Sequence, residues 1–340
     1  MPTENLATII AEVGLSHEGS LGLAHAFIQS IHAAGADVAK FQIHIPDLES
    51  SDSEPFRVPF STQDTTRKSY WTRTSFTKEQ YQELQKHAQE LGMGFCVSVF
   101  SAGAVEWARE LNIEMIKVGS GDLINPEILE AFQGYKGSVI LSTGMSTWGE
   151  IDSAVEKYLM KIDKEAKLSI LQCTSMYPTP LWLTGVNVMK DMQTRYPACE
   201  VGISDHSPSI RSSVIAMSHG AKLVEKHVIF SREMFGPDVK ASITFQELAE
   251  LAAFRDEIPL ILQTVDKDNL SLELSRERKI FGRSLGLKNN LPAGHLLELE
   301  DFCLRKPSGG LGWEDRHSLV GKVLVRDYNV GQLLSYDHLG

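Results

Sequence analysis

Eight short β-rich apolar runs, alternating with longer stretches of helical period, occupy residues 7–265. The runs fall at 8–13, 38–43, 94–99, 115–119, 138–142, 168–174, 200–204 and 222–229. Helical period is found at 23–34, 77–91, 102–111, 126–132, 150–161, 210–219 and 245–262. Strands that run parallel need a crossover between them, and helices supply it, so this alternation selects an α/β fold around a parallel sheet. Eight such units in roughly 260 residues fit a TIM (β/α)8 barrel better than an open doubly wound sheet.

In a barrel of this kind chemistry sits at the carboxyl ends of the strands, so polar residues that end otherwise apolar runs are the informative ones. Strand one offers Glu12, strand two Lys40 and Gln42, strand three Ser98, and strand four Lys117 followed by Ser120 and Asp122. Strand five offers Ser142 and Thr143, strand six Gln172, Thr174 and Ser175, strand seven Ser204, Asp205 and His206, and strand eight Glu225 and His227. Alternation predicts that Lys40 shares a face with Gln42, Ser204 with His206, and Glu225 with His227. Two interior lysines among hydroxyls suit an anion carrying both phosphate and carboxylate, with internal pairing such as Lys40 to Glu12 as the competing arrangement. His206 and His227, ending adjacent strands, suit one divalent ion. His25, His32, His87 and His219 lie in helical stretches and read as surface residues.

Residues 44–76 are too long for an ordinary strand-to-helix connection and leave strand two on the active-site side, so they are expected to form a wall or lid. Polar residues from Asp266 and the charged run from Arg276 to Lys279 mark 266–284 as a linker between a catalytic domain, 1–265, and a small second domain, 285–340. Within that domain the run from Leu291 to Leu297 is echoed by the run from Tyr328 to Leu334.

Composition narrows the partners. Lys plus Arg number 33 against 44 Asp plus Glu, a net charge of −11, which argues against nucleic acid. No apolar stretch is long enough to cross a membrane, and Met1 to Asn5 lack the makings of a signal peptide, so a cytoplasmic location is expected. Cys96, Cys173, Cys199 and Cys303 show no paired spacing and read as buried reduced thiols.

Several blocks, taken in order, resemble the sialic acid synthase family. They are Ile10-Ala11-Glu12-Val13-Gly14-Leu15-Ser16-His17, Ala39-Lys40-Phe41-Gln42, Ile116-Lys117-Val118-Gly119-Ser120-Gly121-Asp122, Gln172-Cys173-Thr174-Ser175-Met176-Tyr177-Pro178, Gly202-Ile203-Ser204-Asp205-His206 and Val224-Glu225-Lys226-His227. Gly236-Pro237-Asp238 follows, and Arg305-Lys306-Pro307-Ser308-Gly309 resembles the motif of that family's antifreeze-like (SAF, β-clip) terminal domain. The resemblance implies condensation of phosphoenolpyruvate with an N-acetylated aldose, N-acetylmannosamine in the first place, to give N-acetylneuraminate and phosphate. A legionaminic or pseudaminic acid synthase using a diacetamido-dideoxy hexose is the alternative.

By the same resemblance His206 and His227 hold a divalent metal, manganese first, with magnesium or cobalt as alternatives. Glu12, Asp122 and Glu225 are the catalytic candidates. Lys40 and Ser98 meet the donor's carboxylate, while Lys117, Ser120, Ser175 and Ser204 meet its phosphate. Gln42, Tyr177 and Asp238 meet the sugar, joined by Arg305 or Lys306 from the terminal domain, which in a homodimer covers the partner's barrel. Asp122 stands where many relatives have glutamate, and Ser175 where some have asparagine. A metal-dependent hydrolase is disfavoured by Glu12 on strand one in place of a histidine pair. A non-enzymatic ice-binding module is disfavoured by the charges of the terminal domain.

Overall fold

The computed structural model describes residues 6–340; Met1 to Asn5, on which part of the location reading rests, lie outside the described residues. The chain divides into two compact units, Met1–Leu262 and Gln263–Gly340.

In the first unit eight parallel strands follow one another round a closed barrel: β1 (Thr8–Gly14), β2 (Val38–Ile43), β3 (Gly94–Val99), β4 (Met115–Val118), β5 (Ser138–Ser142), β6 (Leu168–Cys173), β7 (Glu200–Ser204) and β8 (Leu223–Ile229). Closure comes from β1 pairing with β8, Thr8 opposite Leu223 through Glu12 opposite His227. A two-residue strand, β9 (Ile243–Thr244), pairs with the far end of β8. The helices are α1 (Leu21–Ala33), α2 (Pro46–Glu49), α3 (Arg67–Thr74), α4 (Lys78–Glu90), α5 (Ala102–Glu110), α6 (Pro126–Ala131), α7 (Trp148–Lys161), α8 (Val186–Arg195), α9 (Arg211–Ser218) and α10 (Phe245–Ile261).

The strands match the sequence pattern to within a residue. Helix starts differ for a physical reason: Thr77 and Thr147 are N-caps, each locked in a capping box with Gln80 or Glu150, so the helix expected from 77 starts one residue later, at Lys78, and the one expected from 150 starts two residues earlier, at Trp148. The helix α8 had no such signal, because its N-cap is Gly185 in the left-handed region with no side chain to offer.

Period-2 alternation divides the barrel into layers. Ile9, Ala11, Val13, Phe41 and Val97 point outward into the apolar shell beneath the helices. Ile10, Val38, Cys96, Ile140, Leu171 and Leu223 point inward and plug the barrel, with Met115 packed against them. Two residues further along the same strands stand Glu12, Lys40, Ser98, Ser142, Cys173 and Glu225, with Lys117 two beyond Met115. An apolar floor thus carries a polar layer one side-chain repeat above it. Gly202 lies in the plug layer, where a Cβ would meet the Leu223 carbonyl oxygen at 2.1 Å. Gly202→Ala is expected to cost at least ~1–3 kcal/mol, as overpacked cores do, read as a lowered midpoint of thermal unfolding. An unchanged midpoint would mean that β7 and β8 approach less closely.

The second unit begins differently from expectation. Residues 266–284 are not an extended linker but carry two short helices, α11 (Lys267–Glu273) and α12 (Ser275–Phe281), before β10 begins at Ser284. Asp266 caps the first by accepting from the amides of Asp268 and Asn269, and neither helix buries a residue, which is why their sequence reads as a linker. The hairpin partners β10 (Ser284–Leu287) and β11 (Phe302–Arg305) run antiparallel, and a single turn, α13 (Arg316–Leu319), follows. Leu285, Leu287, Leu297, Phe302, Leu319, Leu324, Tyr328 and Leu334 form a small separate core. The two echoed runs meet: Leu291 and Tyr328, the first residue of each, exchange backbone hydrogen bonds at 3.0 and 2.8 Å. Short strands and turns round a small core are in keeping with the β-clip domain expected here.

Candidate functional site

Strand register assembles the polar layer. Glu12 lies opposite Lys40 on one side and His227 on the other, Gln42 opposite Ser98, Ser98 opposite Lys117, and Ser204 opposite Glu225. Above this layer opens a cavity of about 550 Å³. Glu12, Lys40, Gln42, Ser98, Lys117, Ser120, Asp122, Ser175, Tyr177, His206, Glu225, His227 and Asp238 all line it, and Ser204 lies against Lys117 and Glu225. Arg305 and Lys306 belong to the second unit. There an Arg305 amine donates to the Leu287 carbonyl at 3.1 Å, and the Lys306 ammonium lies 5.2 Å from the Phe281 ring centre.

Four buried charges make up the cavity floor. Lys40 Nζ is 2.7 Å from Glu12 Oε2 and 3.7 Å from Glu225 Oε1, and it donates to Ser98 Oγ at 2.8 Å. Lys117 Nζ is 2.5 Å from Glu225 Oε1, to which the Ser204 hydroxyl also donates at 3.1 Å. The internal pairing weighed against an anion site is therefore present. It does not exclude one, because both lysine nitrogens stand at the cavity floor, where an entering anion can take the place of a carboxylate. Burial opposes the charge on Lys40, yet Glu12 and Glu225 outweigh it and hold the ammonium above its ordinary pKa. Burial likewise opposes the charge on Glu225, but Lys117 and then Lys40 hold its carboxyl down at about 2. Asp122 goes the other way, its carboxyl pushed up by burial.

Both histidines are suited to a metal. Burial, aided by His227, holds the His206 imidazole down at about 3, and burial lowers His227 as well, so both rings are neutral near pH 7 and offer lone pairs. The His206 Nδ1 faces the Thr174 carbonyl at 3.1 Å, which places its hydrogen there and leaves Nε2 as the ligand atom. The ring centres are 5.3 Å apart. Among the described residues no three His, Cys, Asp or Glu side chains form a group that could hold a metal ion, so an ion at these two rings would draw two nitrogens from the protein and its other ligands from water or substrate.

Other strand-end residues turn away from the cavity, as alternation requires once Cys173 and Ser204 point inward. Gln172 donates to the carbonyls of Cys173 and Thr184, and Thr174 to that of Leu183. Asp205 is turned away from the cavity beside His206, accepting from Ser212 and Ser213 and pairing with Lys226 at 3.2 Å. The cysteines are all free thiols, with Cys96 and Cys173 buried but Cys199 and Cys303 only half-buried. Of the helical histidines, His25 and His87 are partly covered and meet each other through Nδ1 atoms at 2.8 Å.

The segment 44–76 forms one wall. Phe56 and Phe60 pack with Leu15, Tyr70 and Trp71, and this cluster carries Arg57 over the Tyr177 ring at 4.0 Å, with its guanidinium 2.5 Å from Asp238. Tyr177 in turn stacks on His206 at 4.0 Å. Sequence reasoning did not single out His44, Glu49, Glu54 or Arg67, which line the same wall. For His44 a signal existed, since Lys40, Gln42 and His44 continue one alternation past the end of β2. The others depend on how the wall folds.

The model of the NeuB family matches residues 27–267. The chain is 32% identical to N-acetylneuraminate-9-phosphate synthase of Mus musculus, over 93% of this chain and 88% of that protein. It is 28% identical to N,N'-diacetyllegionaminic acid synthase of Campylobacter jejuni, over 96% and 98%. The crystal structure of N-acetylneuraminic acid synthetase from Leptospira borgpetersenii in complex with citrate superimposes with a TM-score of 0.69 at 27% identity, over 80% of this chain and 92% of that one.

Proposed function

Because the chain belongs to the NeuB family and is an enzyme of the sugar acid synthase type, we propose that it condenses phosphoenolpyruvate with N-acetylmannosamine to give N-acetylneuraminate and phosphate. A second reading, with a diacetamido-dideoxy hexose as acceptor, is supported by the similarity to legionaminic and pseudaminic acid synthases over nearly the whole chain. The observation that carries the proposal is the pair of buried lysines at the cavity floor, each beside a serine hydroxyl. Point charges with adjustable donors suit a phosphorylated carboxylate.

In this reading Lys40 and Ser98 hold the donor's carboxylate, and Lys117, Ser120, Ser175 and Ser204 its phosphate. Gln42, Tyr177 and Asp238 hold the sugar. The enol carbon bonds to the aldehyde carbon as its C=O opens, water adds its hydroxyl at the donor's C2, the proton that water loses ends on the former aldehyde oxygen, and the carbon–oxygen bond to phosphate breaks to leave the 2-keto acid. Glu12, beside both Lys40 and the His227 strand, is placed to take the proton from that water, while Asp122 and Glu225 complete the carboxylate set. His206 and His227 would hold a divalent cation, manganese first, with magnesium or cobalt as alternatives, which supplies Lewis-acid polarisation of the aldehyde oxygen. The homodimer and a sugar contact from Arg305 or Lys306 belong to the same proposal through the resemblance, and cytoplasmic residence belongs to it through the sequence reading.

The test is phosphate release from phosphoenolpyruvate in the presence of manganese and a panel of aminosugars. Release that depends on N-acetylmannosamine is expected; release with diacetamido-dideoxy hexoses alone would favour the second reading. No release with any acceptor would overturn both.

A further inference from the structure

An unbroken hydrogen-bonded chain of four side chains runs from the wall of the cavity to its floor. Glu49 Oε1 meets His44 Nδ1 at 2.8 Å, His44 Nε2 meets Gln42 Oε1 at 3.1 Å, and Gln42 Nε2 donates to Glu12 Oε1 at 2.6 Å. The floor end sets its direction. Glu12 Oε1 accepts from the Gln42 amide nitrogen while Oε2 faces the Lys40 ammonium at 2.7 Å, so the Gln42 amide oxygen is turned toward His44. Facing an amide oxygen, His44 Nε2 is the donor of that bond, and Nδ1 faces the Glu49 carboxyl group.

The middle of the chain is held with little freedom. The His44 ring lies between Phe100, with centres 4.3 Å apart and planes within 6°, and Trp71, at 4.7 Å and 15°. Both His44 and Glu49 are buried, with side chains 4% and 3% exposed. The second Glu49 oxygen, Oε2, is buried with no hydrogen-bond partner. Sequence supplies the geometry: His44 continues the inward face of β2, Pro46 starts α2, and that single turn brings Glu49 back onto the ring.

We propose that His44 and Glu49 are a positioning dyad, which fixes the amide orientation of Gln42 and, through it, the carboxylate of Glu12. The dyad touches no reacting atom and acts only through its two neighbours, as the outer partners of metal-ligating and triad histidines do. Its kinetic consequences rest on the condensation reading; its hydrogen positions do not. Were Gln42 to flip, its oxygen would face a carboxylate oxygen at hydrogen-bonding distance, and Glu12 would have to rotate away.

Glu49→Gln is nearly isosteric and is the variant of choice, with His44→Phe keeping the ring stack while removing both polar contacts. Each is expected to lower kcat by about 10- to 100-fold, in the range seen when such outer partners are lost, with KM for phosphoenolpyruvate changed less than about twofold because the lysines are untouched. In a Gln42→Ala background Glu49→Gln is expected to add nothing, since the route to Glu12 is already cut. Full additivity of the two substitutions, or equal losses in both kinetic constants, would overturn the proposal. Nitrogen-15 spectra of the His44 ring in the wild-type protein, assigned by comparison with His44→Phe, are expected to show Nε2 protonated. An unprotonated Nε2 would overturn the proposal without reference to activity. If the wild-type protein releases no phosphate with any acceptor, the condensation reading fails while these spectra still decide the dyad.

Discussion

Removal of divalent metal by a chelator is expected to abolish acceptor-dependent phosphate release, and added manganese to restore it. His206→Ala and His227→Ala are each expected to retain less than ~1% of turnover, because a Lewis acid contributes several kcal/mol at the barrier and each 1.36 kcal/mol is tenfold. The expectation rests on two neutral, buried imidazoles with ring centres 5.3 Å apart at the cavity floor. Titration of manganese into the protein, followed by the relaxation of bound water, gives a readout independent of turnover and should lose its saturable phase in both variants. Circular dichroism and thermal unfolding should stay close to wild type, since neither ring fills the apolar plug. Full activity of the chelated protein, with metal content verified as negligible, would remove the metal from the mechanism.

Loss of Lys117 is expected to damage both stability and donor binding, and a second substitution separates the two. In Lys117→Met, Glu225 is left buried with Lys40 at 3.7 Å as its remaining ion-pair partner. Breaking a buried pair from one side costs ~3–5 kcal/mol, so the unfolding midpoint should fall by many degrees. The double variant Lys117→Met/Glu225→Gln removes both charges and should recover most of that loss. Donor binding should not recover. A charged hydrogen bond contributes roughly 1.5–3 kcal/mol, so KM for phosphoenolpyruvate should stay raised about 10- to 150-fold in the double variant, with KM for the acceptor little changed. A double variant with both normal stability and a normal donor KM would make the pair purely structural and would leave the phosphate without the cation assigned to it.

Much of this molecule follows from short-range pattern. The alternation of apolar runs with helical stretches dictated eight βα units, and the two-residue repeat dictated that Lys40 and Gln42, Ser204 and His206, and Glu225 and His227 point the same way. Both are properties of neighbouring residues, and the backbone geometry of strands and helices expresses them locally. What the pattern left open is which of these side chains meet. Glu12 faces His227, and Glu225 takes Lys117 from 108 positions away, only because β1 closes on β8 in one register. Closure and register belong to the whole barrel, and no window of sequence contains them. The wall is a second instance. The length of 44–76 announced a functional loop, but the ring stack on His44, the return of Glu49 through one turn of helix and the reach of Arg57 over Tyr177 depend on aromatic packing among residues far apart in the chain. The short helices after Asp266 are a third, since segments with no buried face carry little apolar periodicity by which to be recognised. Local physics thus chose the inward-facing residues, and the closed barrel with its packed wall decided which carboxylate each lysine pairs with and how Glu12 is held.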